Sequence, residues 1–408
     1  MTTSGLLPRM GQPIRCWALL LGAWAGAWFV YYALQELKRG LVLARRRRRH
    51  PLVARPADVP DSAWWGHADK REREHIVARF SPIRFGGRYL NVTPEWREQG
   101  AWEWLWWKVV HSTLWGSGGG FSDDVKRPGG AAYIERVLPV EPLDVERLWG
   151  SDPHEPVAVR AQGVSYAWLG QSTCLVQLHG VTILTDPVFG DRPLESVLSP
   201  RRMRPMPCTL EQVRHVDVVL VSHNHYDHLD LSVARALPPS VQWIVPTGVG
   251  RLLTSQGVLR ERIVELGWWD EWYQPWEVRV AQAKKAPRRL DVAAVPASHW
   301  SGRTLLDTNQ SLWNSYVVRC GAPGQRSVSL FFCGDSGYSP SLFASVGRMY
   351  GPFDLAAIPI GSYEPRWHLS LQHMDPRGAV RVARDIGARQ GVAMHWGTWC
   401  MSGAYASG

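Results

Sequence analysis

The stretch that decides the fold is His223-Asn224-His225-Tyr226-Asp227-His228, which directly follows Asp217-Val218-Val219-Leu220-Val221-Ser222. The preceding run is apolar and β-branched, which is typical of a buried strand. Three imidazoles and one carboxylate within six residues are ligands that suit a borderline cation such as zinc. A zinc ion that keeps one position open for water is bound by three protein ligands. The four candidate ligands on this short loop are therefore more than one such ion uses. We therefore predict two metal ions that share a water molecule.

Three further candidate ligands each follow a predicted strand. His299 comes after the run 292–295, Asp335 after 330–333 and His395 after 392–394. Any one of these side chains alone would more often be an ordinary loop residue, but the repeated placement favours a shared metal site. Other predicted strands alternate with short helices, which indicates two sheets packed together with helices outside them.

Composition and charge indicate an anionic partner. The 408 residues carry a formal net charge of +10 and include 23 tryptophans, many of them in the N-terminal half. Tryptophan favours the boundary between membrane and water, so we expect a lipid surface and no nucleic-acid partner. The six cysteines form no C-x-x-C pair, which excludes a ribbon-type zinc site and favours a reducing compartment.

The N-terminal region carries the membrane predictions. Residues 16–34 contain no charged side chain and are followed by Arg45 to Arg49, which predicts a transmembrane helix with its basic end facing the cytoplasm or the mitochondrial matrix. A cleaved targeting segment and a helix buried in the domain are the alternatives. Residues 102, 105, 106, 109 and 110 repeat at helical spacing, as either an ordinary packed helix or one lying on a membrane. We divide the chain into an anchor or targeting segment (1–50), a linker and Trp-rich region (51–156) and a catalytic domain (157–408).

The pattern of candidate ligands resembles that of the metallo-β-lactamase superfamily. Longer stretches are similar to the N-acylphosphatidylethanolamine-hydrolysing phospholipase D family, over roughly Tyr89 to Thr398; they are Trp168-Leu169-Gly170, Thr185-Asp186-Pro187-Val188-Phe189, 222–230, 353–361, Tyr363-Glu364-Pro365-Arg366-Trp367 and His395-Trp396-Gly397-Thr398. The resemblance implies an α/β fold, the four-layer αβ/βα metallo-β-lactamase sandwich, preceded here by a membrane-anchoring extension.

The resemblance also assigns roles to individual residues. It implies one zinc ion on His223, His225 and His299, a second on Asp227, His228 and His395, and Asp335 bridging the two. Asp227, Asp335 and His373 are the expected catalytic residues, and Tyr226, Gln372 and His373 the expected substrate contacts, although His373 and Tyr226 have structural alternatives. Asp186 is expected to support a metal-bound histidine, or else to form an Asp-Pro turn.

Two features depart from the family pattern. Gln171 stands where the family often has histidine, which is expected to cost a supporting hydrogen-bond donor. The family typically continues for some tens of residues beyond the position of His395, so a shortened C-terminus is expected here.

The expected function is that of a zinc-dependent phospholipase D-type phosphodiesterase. It would hydrolyse N-acylphosphatidylethanolamine, a membrane phospholipid, to N-acylethanolamine and phosphatidic acid, and no Gly-x-Ser-x-Gly motif offers a serine nucleophile instead. The alternatives are a hydrolase of another phosphate ester or lactone and a catalytically impaired lipid-binding homologue. We expect membrane association with the catalytic domain facing the cytoplasm, or the mitochondrial inner membrane as the alternative. A homodimer is left open.

Overall fold

The computed structural model describes residues 12–55, 64–99, 103, 106, 130–144, 163–194, 196, 199–213, 215–280, 284–304 and 306–401. Most of the Trp-rich segment expected to form a helix near residues 98–110 lies outside the described residues. The helices are α1 (Gln12–Arg49), α2 (Lys70–Arg79), α3 (Gly130–Val137), α4 (Leu231–Ala236), α5 (Gly250–Thr254), α6 (Pro340–Tyr350), α7 (Arg366–Leu369) and α8 (Pro376–Asp385). Two short 3-10 turns span Glu211–Val213 and Arg260–Arg262.

Within the described residues, the strands form two six-stranded sheets and a separate hairpin. The hairpin pairs β1 (Ile83–Phe85) with β2 (Arg88–Leu90). The first sheet contains β3 (Val164–Gly170), β4 (Thr173–Leu178), β5 (Val181–Thr185), β6 (Val218–Leu220), β7 (Gln242–Pro246) and β8 (Ile263–Leu266) in that order. The second contains β9 (Glu271–Val280), β10 (Lys284–Pro296), β11 (Asn314–Gly321), β12 (Val328–Phe332), β13 (Leu355–Pro359) and β14 (Gly391–Met394), also side by side in chain order.

Each sheet is antiparallel in one half and parallel in the other. Strands β3 to β5 are antiparallel and β5 to β8 parallel, while β9 to β12 are antiparallel and β12 to β14 parallel. In the second sheet β10, β12 and β14 therefore run in the same direction. Their carboxyl ends consequently lie at one edge of the sheet, where three of the expected ligands follow.

Alternating side chains divide the core into two parts. Along β5, Ile183 belongs to the large core that includes residues of both sheets, whereas Leu184 belongs to a second cluster with Val233 of α4 and Leu253 of α5. Successive side chains of a strand point to opposite faces, so a fully apolar strand fills both layers. Phe343 of α6 packs edge-on against Phe331 of the second sheet at 6.3 Å between ring centroids. The layers are thus helices, sheet, sheet and helices, and the expected metallo-β-lactamase sandwich is confirmed.

Helix α1 covers the segment that was expected to cross a membrane. No helix in the described part of the chain is long and apolar enough to do so, and the transmembrane helix predicted from residues 16–34 is therefore not supported. Within α1, Gly22, Gly26 and several aromatic residues interrupt the aliphatic residues. Its later turns are polar and pack on the domain, since Gln35 and Arg39 are both buried.

Candidate metal centre

The candidate ligands come together at one edge of the two sheets. The loop 222–228 follows β6, His299 follows β10, Asp335 follows β12 and His395 follows β14. The sheets are joined at this edge, because the amide of Asn314 donates to the carbonyl of Ser222 (2.8 Å). Gly334 has a positive φ of 59°, and a Cβ there would lie 2.5 Å from Cβ of Ser222. Glycine at this position therefore lets the Asp335 loop approach the loop 222–228.

Three histidines form a first group. Nε2 of His223 lies 2.8 Å from Nδ1 of His225, which in turn lies 3.4 Å from Nε2 of His299. His223 and His299 are almost completely buried, while His225 is partly exposed. The three nitrogens lie within 4.8 Å of one another, close enough to bind one metal ion.

Two histidines and two carboxylates form a second group. Nε2 of His228 lies 3.1 Å from Oδ2 of Asp335 and 3.3 Å from Oδ2 of Asp227. Nε2 of His395 lies 3.0 and 3.5 Å from the same two oxygens. Oδ2 of Asp335 is also 3.7 Å from Nε2 of His299, so this carboxylate stands between the two groups.

Unpartnered buried atoms fit a metal cofactor at this place. Nε2 of His228 and Oδ1 of Asp335 are buried and have no hydrogen-bond partner among the described residues. A buried polar atom without a partner is costly, and imidazole and carboxylate donors clustered in this way are what a metal ion would satisfy.

The histidines are oriented from behind by hydrogen bonds. Asp186, fully buried at the end of β5, lies 2.6 Å from Nδ1 of His228 and accepts hydrogen bonds from the amide and hydroxyl of Ser222, both at 2.6 Å. The Ser222 hydroxyl lies 2.9 Å from Nδ1 of His223, and Nδ1 of His299 donates to the carbonyl of Gln372 (3.1 Å). Each of these rings therefore presents Nε2 to the centre, as metal-ligating histidines do. The expected supporting position of Asp186 agrees with this geometry.

The electrostatics differ between the two groups. Burial lowers the pKa of His225 and of His299 to about 3, so both rings are neutral at physiological pH and in the form that binds metal. Burial also disfavours the charged form of His395, but the carboxylates outweigh it, Asp335 first, and raise its pKa to about 9. The same balance raises the pKa of His228, and the histidines in turn hold the pKa of Asp335 well below its usual value against the effect of burial. Protons therefore compete with a metal ion at the second group more than at the first.

Gln171 does not cost the site a donor, and that expectation is wrong. Its amide Nε2 lies 2.9 Å from Oδ2 of Asp227 and 2.8 Å from Nε2 of His395. The backbone of Gln171 is fixed as well, because its carbonyl accepts from the amide of His395 (2.7 Å) and from the Trp168 indole (2.8 Å). Glutamine thus reaches the carboxylate from the turn between β3 and β4.

The expected substrate contacts lie around the rim of the centre. His373 lies between the two groups, with its ring 5.1 Å from that of His299 and 5.2 Å from that of His395, and its Nδ1 has no hydrogen-bond partner among the described residues. Oε1 of Gln372 is likewise without one, while its Nε2 donates to Gln99 (3.2 Å). Helix α8 begins just beyond, where the Asp375 side chain accepts from the amide of Gly378 (2.7 Å) and Pro376 fills the first position. This cap fixes the loop that carries His373.

Tyr226 has a structural role that the sequence left open. Its hydroxyl donates to the carbonyl of Arg303 (2.8 Å), and the Arg303 guanidinium lies 4.1 Å from the ring centroid. Arg303 also donates to the carbonyls of Asn224 (3.1 Å) and Leu229 (2.9 Å) and so fixes both ends of the ligand loop. A substrate contact by Tyr226 stays a prediction.

Sequence reasoning missed Ser222 and Arg303. Ser222 directly precedes the ligand loop at the end of a strand, and this position was a signal that could have identified it. Arg303 lies in a polar loop, 77 residues beyond Tyr226, with no pattern connecting the two. Its contact depends on how the chain folds back.

Comparison with known proteins finds a matching family model and relatives of this chain. Residues 181–396 match the family model described as the beta-lactamase superfamily domain. The chain is 35% identical to the mitochondrial N-acyl-phosphatidylethanolamine-hydrolyzing phospholipase D of Saccharomyces cerevisiae over 349 residues, which are 81% of this chain and 71% of the yeast protein. It is 37% identical to N-acyl-phosphatidylethanolamine-hydrolyzing phospholipase D 1 of Caenorhabditis elegans over 266 residues, 64% of this chain and 69% of that protein. Both relatives carry the name of the family that the sequence resembles, and with the clustered histidines they support a metal-dependent hydrolase.

Proposed function

Since the chain belongs to the N-acylphosphatidylethanolamine-hydrolysing phospholipase D family, within the metallo-β-lactamase superfamily, we propose that it is a zinc-dependent phosphodiesterase. Its substrate is N-acylphosphatidylethanolamine, and its products are N-acylethanolamine and phosphatidic acid. The observation that carries the proposal is the pair of ligand groups joined by Asp335, in a chain with two relatives of that name.

Seven side chains would hold two zinc ions. His223, His225 and His299 would hold the first, Asp227, His228 and His395 the second, and Asp335 would contact both. Zinc is favoured because imidazole and carboxylate suit a borderline cation. When bound, the pair supplies a lowered pKa for a shared water and polarisation of the phosphoryl oxygen. Asp227 and Asp335 are catalytic in the sense that they would hold the ions beside the reacting atoms.

We assign His373 to a hydrogen bond with the phosphate of the substrate. Burial lowers its pKa to about 3, so its imidazole is neutral at physiological pH and offers a hydrogen bond more readily than a proton. Its unpartnered Nδ1 lies 3.7 Å from Oδ2 of Asp335, next to both ligand groups. The side-chain carbonyl oxygen of Gln372 is buried without a hydrogen-bond partner among the described residues, and we assign it to a donor on the substrate. Tyr226 borders the same site, with its ring held by Arg303.

The substrate reaches the site from a lipid surface. The last turn of α1 presents Arg47, Arg48 and Arg49 to solvent, and exposed arginines near a bilayer favour anionic headgroups. Exposed Trp17, Leu20 and Phe29 earlier on α1 add apolar surface. We propose membrane association with the catalytic domain on the cytoplasmic side; the mitochondrial alternative is supported by the name of the yeast relative.

Zinc analysis combined with lipid hydrolysis tests the proposal. The full chain is expected to bind two equivalents of zinc and to release N-acylethanolamine from vesicles that contain N-acylphosphatidylethanolamine. Release of a product from a sugar-phosphate or lactone instead would favour the alternative hydrolase. A chain that binds zinc and hydrolyses none of these would be the impaired homologue, and the proposal would be abandoned.

A further inference from the structure

The segment 91–99, which we call the strap, lies against the loop that carries His299. It follows the β1–β2 hairpin and is anchored in the core, because Val92 and Trp96 are buried. It lies in the region that composition alone suggests is a linker. The polar side chains on either side of Val92, Asn91 and Thr93, are also completely buried, so they are committed to contacts within the protein.

The strap contacts the backbone of the candidate ligand His299 and the side chain of the preceding residue, Ser298. Nδ2 of Asn91 donates to the carbonyl of His299 (2.6 Å), and the hydroxyl of Thr93 lies 3.0 Å from that of Ser298. The Ser298 hydroxyl itself donates to the carbonyl of Leu371 (2.9 Å), so Thr93 is the donor to Ser298. The loop before His299 is therefore fixed from the strap side.

The strap is in turn held by helix α1. Arg39 is buried; its Nη1 donates to the carbonyl of Thr93 (3.2 Å) and its Nη2 to the carbonyl of Trp96 (2.5 Å). Glu36 pairs with the same guanidinium at 2.9 Å. Gln35 donates to the Glu98 carboxylate at 2.6 Å, which adds a second link. A continuous series of hydrogen bonds thus runs from α1 through the strap to the His299 loop.

We propose that Arg39 and Thr93 are positioning residues for the first metal ion, the one assigned to His223, His225 and His299. The docked α1 helix is then a supporting element of the metal centre as well as a lipid contact. This inference rests on the metal assignment of the proposed function. In the second group His228 is held by Asp186 and Asp227 by Gln171, through hydrogen bonds that do not involve the strap, so the larger effect is expected on the first ion.

Zinc competition with a chelator on the full chain tests this proposal with two matched pairs of variants. Thr93→Val removes only the hydroxyl, whereas Thr93→Ser keeps it. Arg39→Gln removes a buried charge from α1, whereas Arg45→Gln removes an exposed one from the same helix. Net charge, and hence attraction to anionic vesicles, changes equally in the second pair.

Thr93→Val and Arg39→Gln are expected to weaken one of the two zinc equivalents by about threefold to tenfold, since each loses a buried hydrogen bond or more. Thr93→Ser and Arg45→Gln are expected to keep the parent affinities, and melting of the metal-free forms checks that all four fold. Parent affinities in Thr93→Val and Arg39→Gln, or equal loss of both ions, would overturn the proposal. A parent chain that binds no zinc would overturn it together with the proposed function, whereas one that binds two ions but cleaves no lipid would refute the lipid substrate alone.

Discussion

Asp186→Asn is the substitution whose effect the structure lets us work out most fully. The Asp186 side chain is completely buried and has three partners, all at 2.6 Å: Nδ1 of His228, the Ser222 amide and the Ser222 hydroxyl. Asparagine has nearly the same shape, but it lacks the charge. It also replaces one of the two accepting oxygens by an NH2 group, which cannot accept a hydrogen bond from any of the three donors.

The loss of metal affinity in this variant can be estimated from the lost hydrogen bond. A hydrogen bond to a charged group contributes about 1.5–3 kcal/mol. Every 1.4 kcal/mol is a factor of ten, so the ion held by His228 should bind about 10-fold to 100-fold more weakly. The same range is typical when a partner behind a metal ligand is removed.

Chelator competition on the full chain measures this effect. At limiting zinc the variant should lose lipid hydrolysis in proportion to the lost ion, and excess zinc should restore most of it. Asp354→Asn is the matched control. Asp354 accepts from Arg326 (2.7 Å) and from the Ser329 amide (2.9 Å) just before β13, at the end away from the ligands. That control should change the free energy of unfolding but not zinc affinity. Parent zinc affinity in Asp186→Asn would refute the role given to this carboxylate.

Substitutions at three further positions have predicted effects. Asp335→Asn should abolish release of N-acylethanolamine from vesicles because both ligand groups share this carboxylate, and residual turnover near the parent rate would contradict the ligand assignment. Gln171→Ala should weaken zinc about threefold to tenfold by removing the donor to Asp227, whereas Gln171→His should retain affinity; equal affinities in chelator competition for Gln171→Ala and the parent would argue against that contact. Glu98→Gln should stabilise the chain at alkaline pH. Burial, followed by the Glu36 charge, raises the pKa of Glu98 from 4.5 to about 7. A folded-state pKa above the unfolded one gives stability that is complete below about 4.5 and is lost as pH rises through 7. The shift corresponds to about 3 kcal/mol, which residual exposure reduces to about 1–2 kcal/mol, so urea unfolding should show this gain at pH 8 and none at pH 4; a gain independent of pH would rule out titration of Glu98 as its cause.

The strands and candidate ligands could be predicted because their signals are local. The strand at Ile263–Leu266 has the predicted bounds, and the strand before the ligand loop is shorter than its apolar run but lies in the same place. An apolar, β-branched run with a ligand at its carboxyl end is a pattern that occupies only about ten residues of the sequence. Parallel strands then bring their carboxyl ends to one edge, so the meeting of His299, Asp335 and His395 followed from strand direction.

The sequence by itself determined the candidate ligands, the layered sandwich and the family, since each depends on patterns that neighbouring residues carry together. Only the tertiary structure decided which nitrogen of each ring faces the centre, that Gln171 reaches Asp227, and that α1 docks on the domain through Arg39. The contact between Asn91 and His299 joins residues 208 positions apart, and it ends on a backbone carbonyl. Every residue carries the same backbone carbonyl, whatever its side chain. No sequence pattern therefore marks which carbonyl a distant side chain will reach.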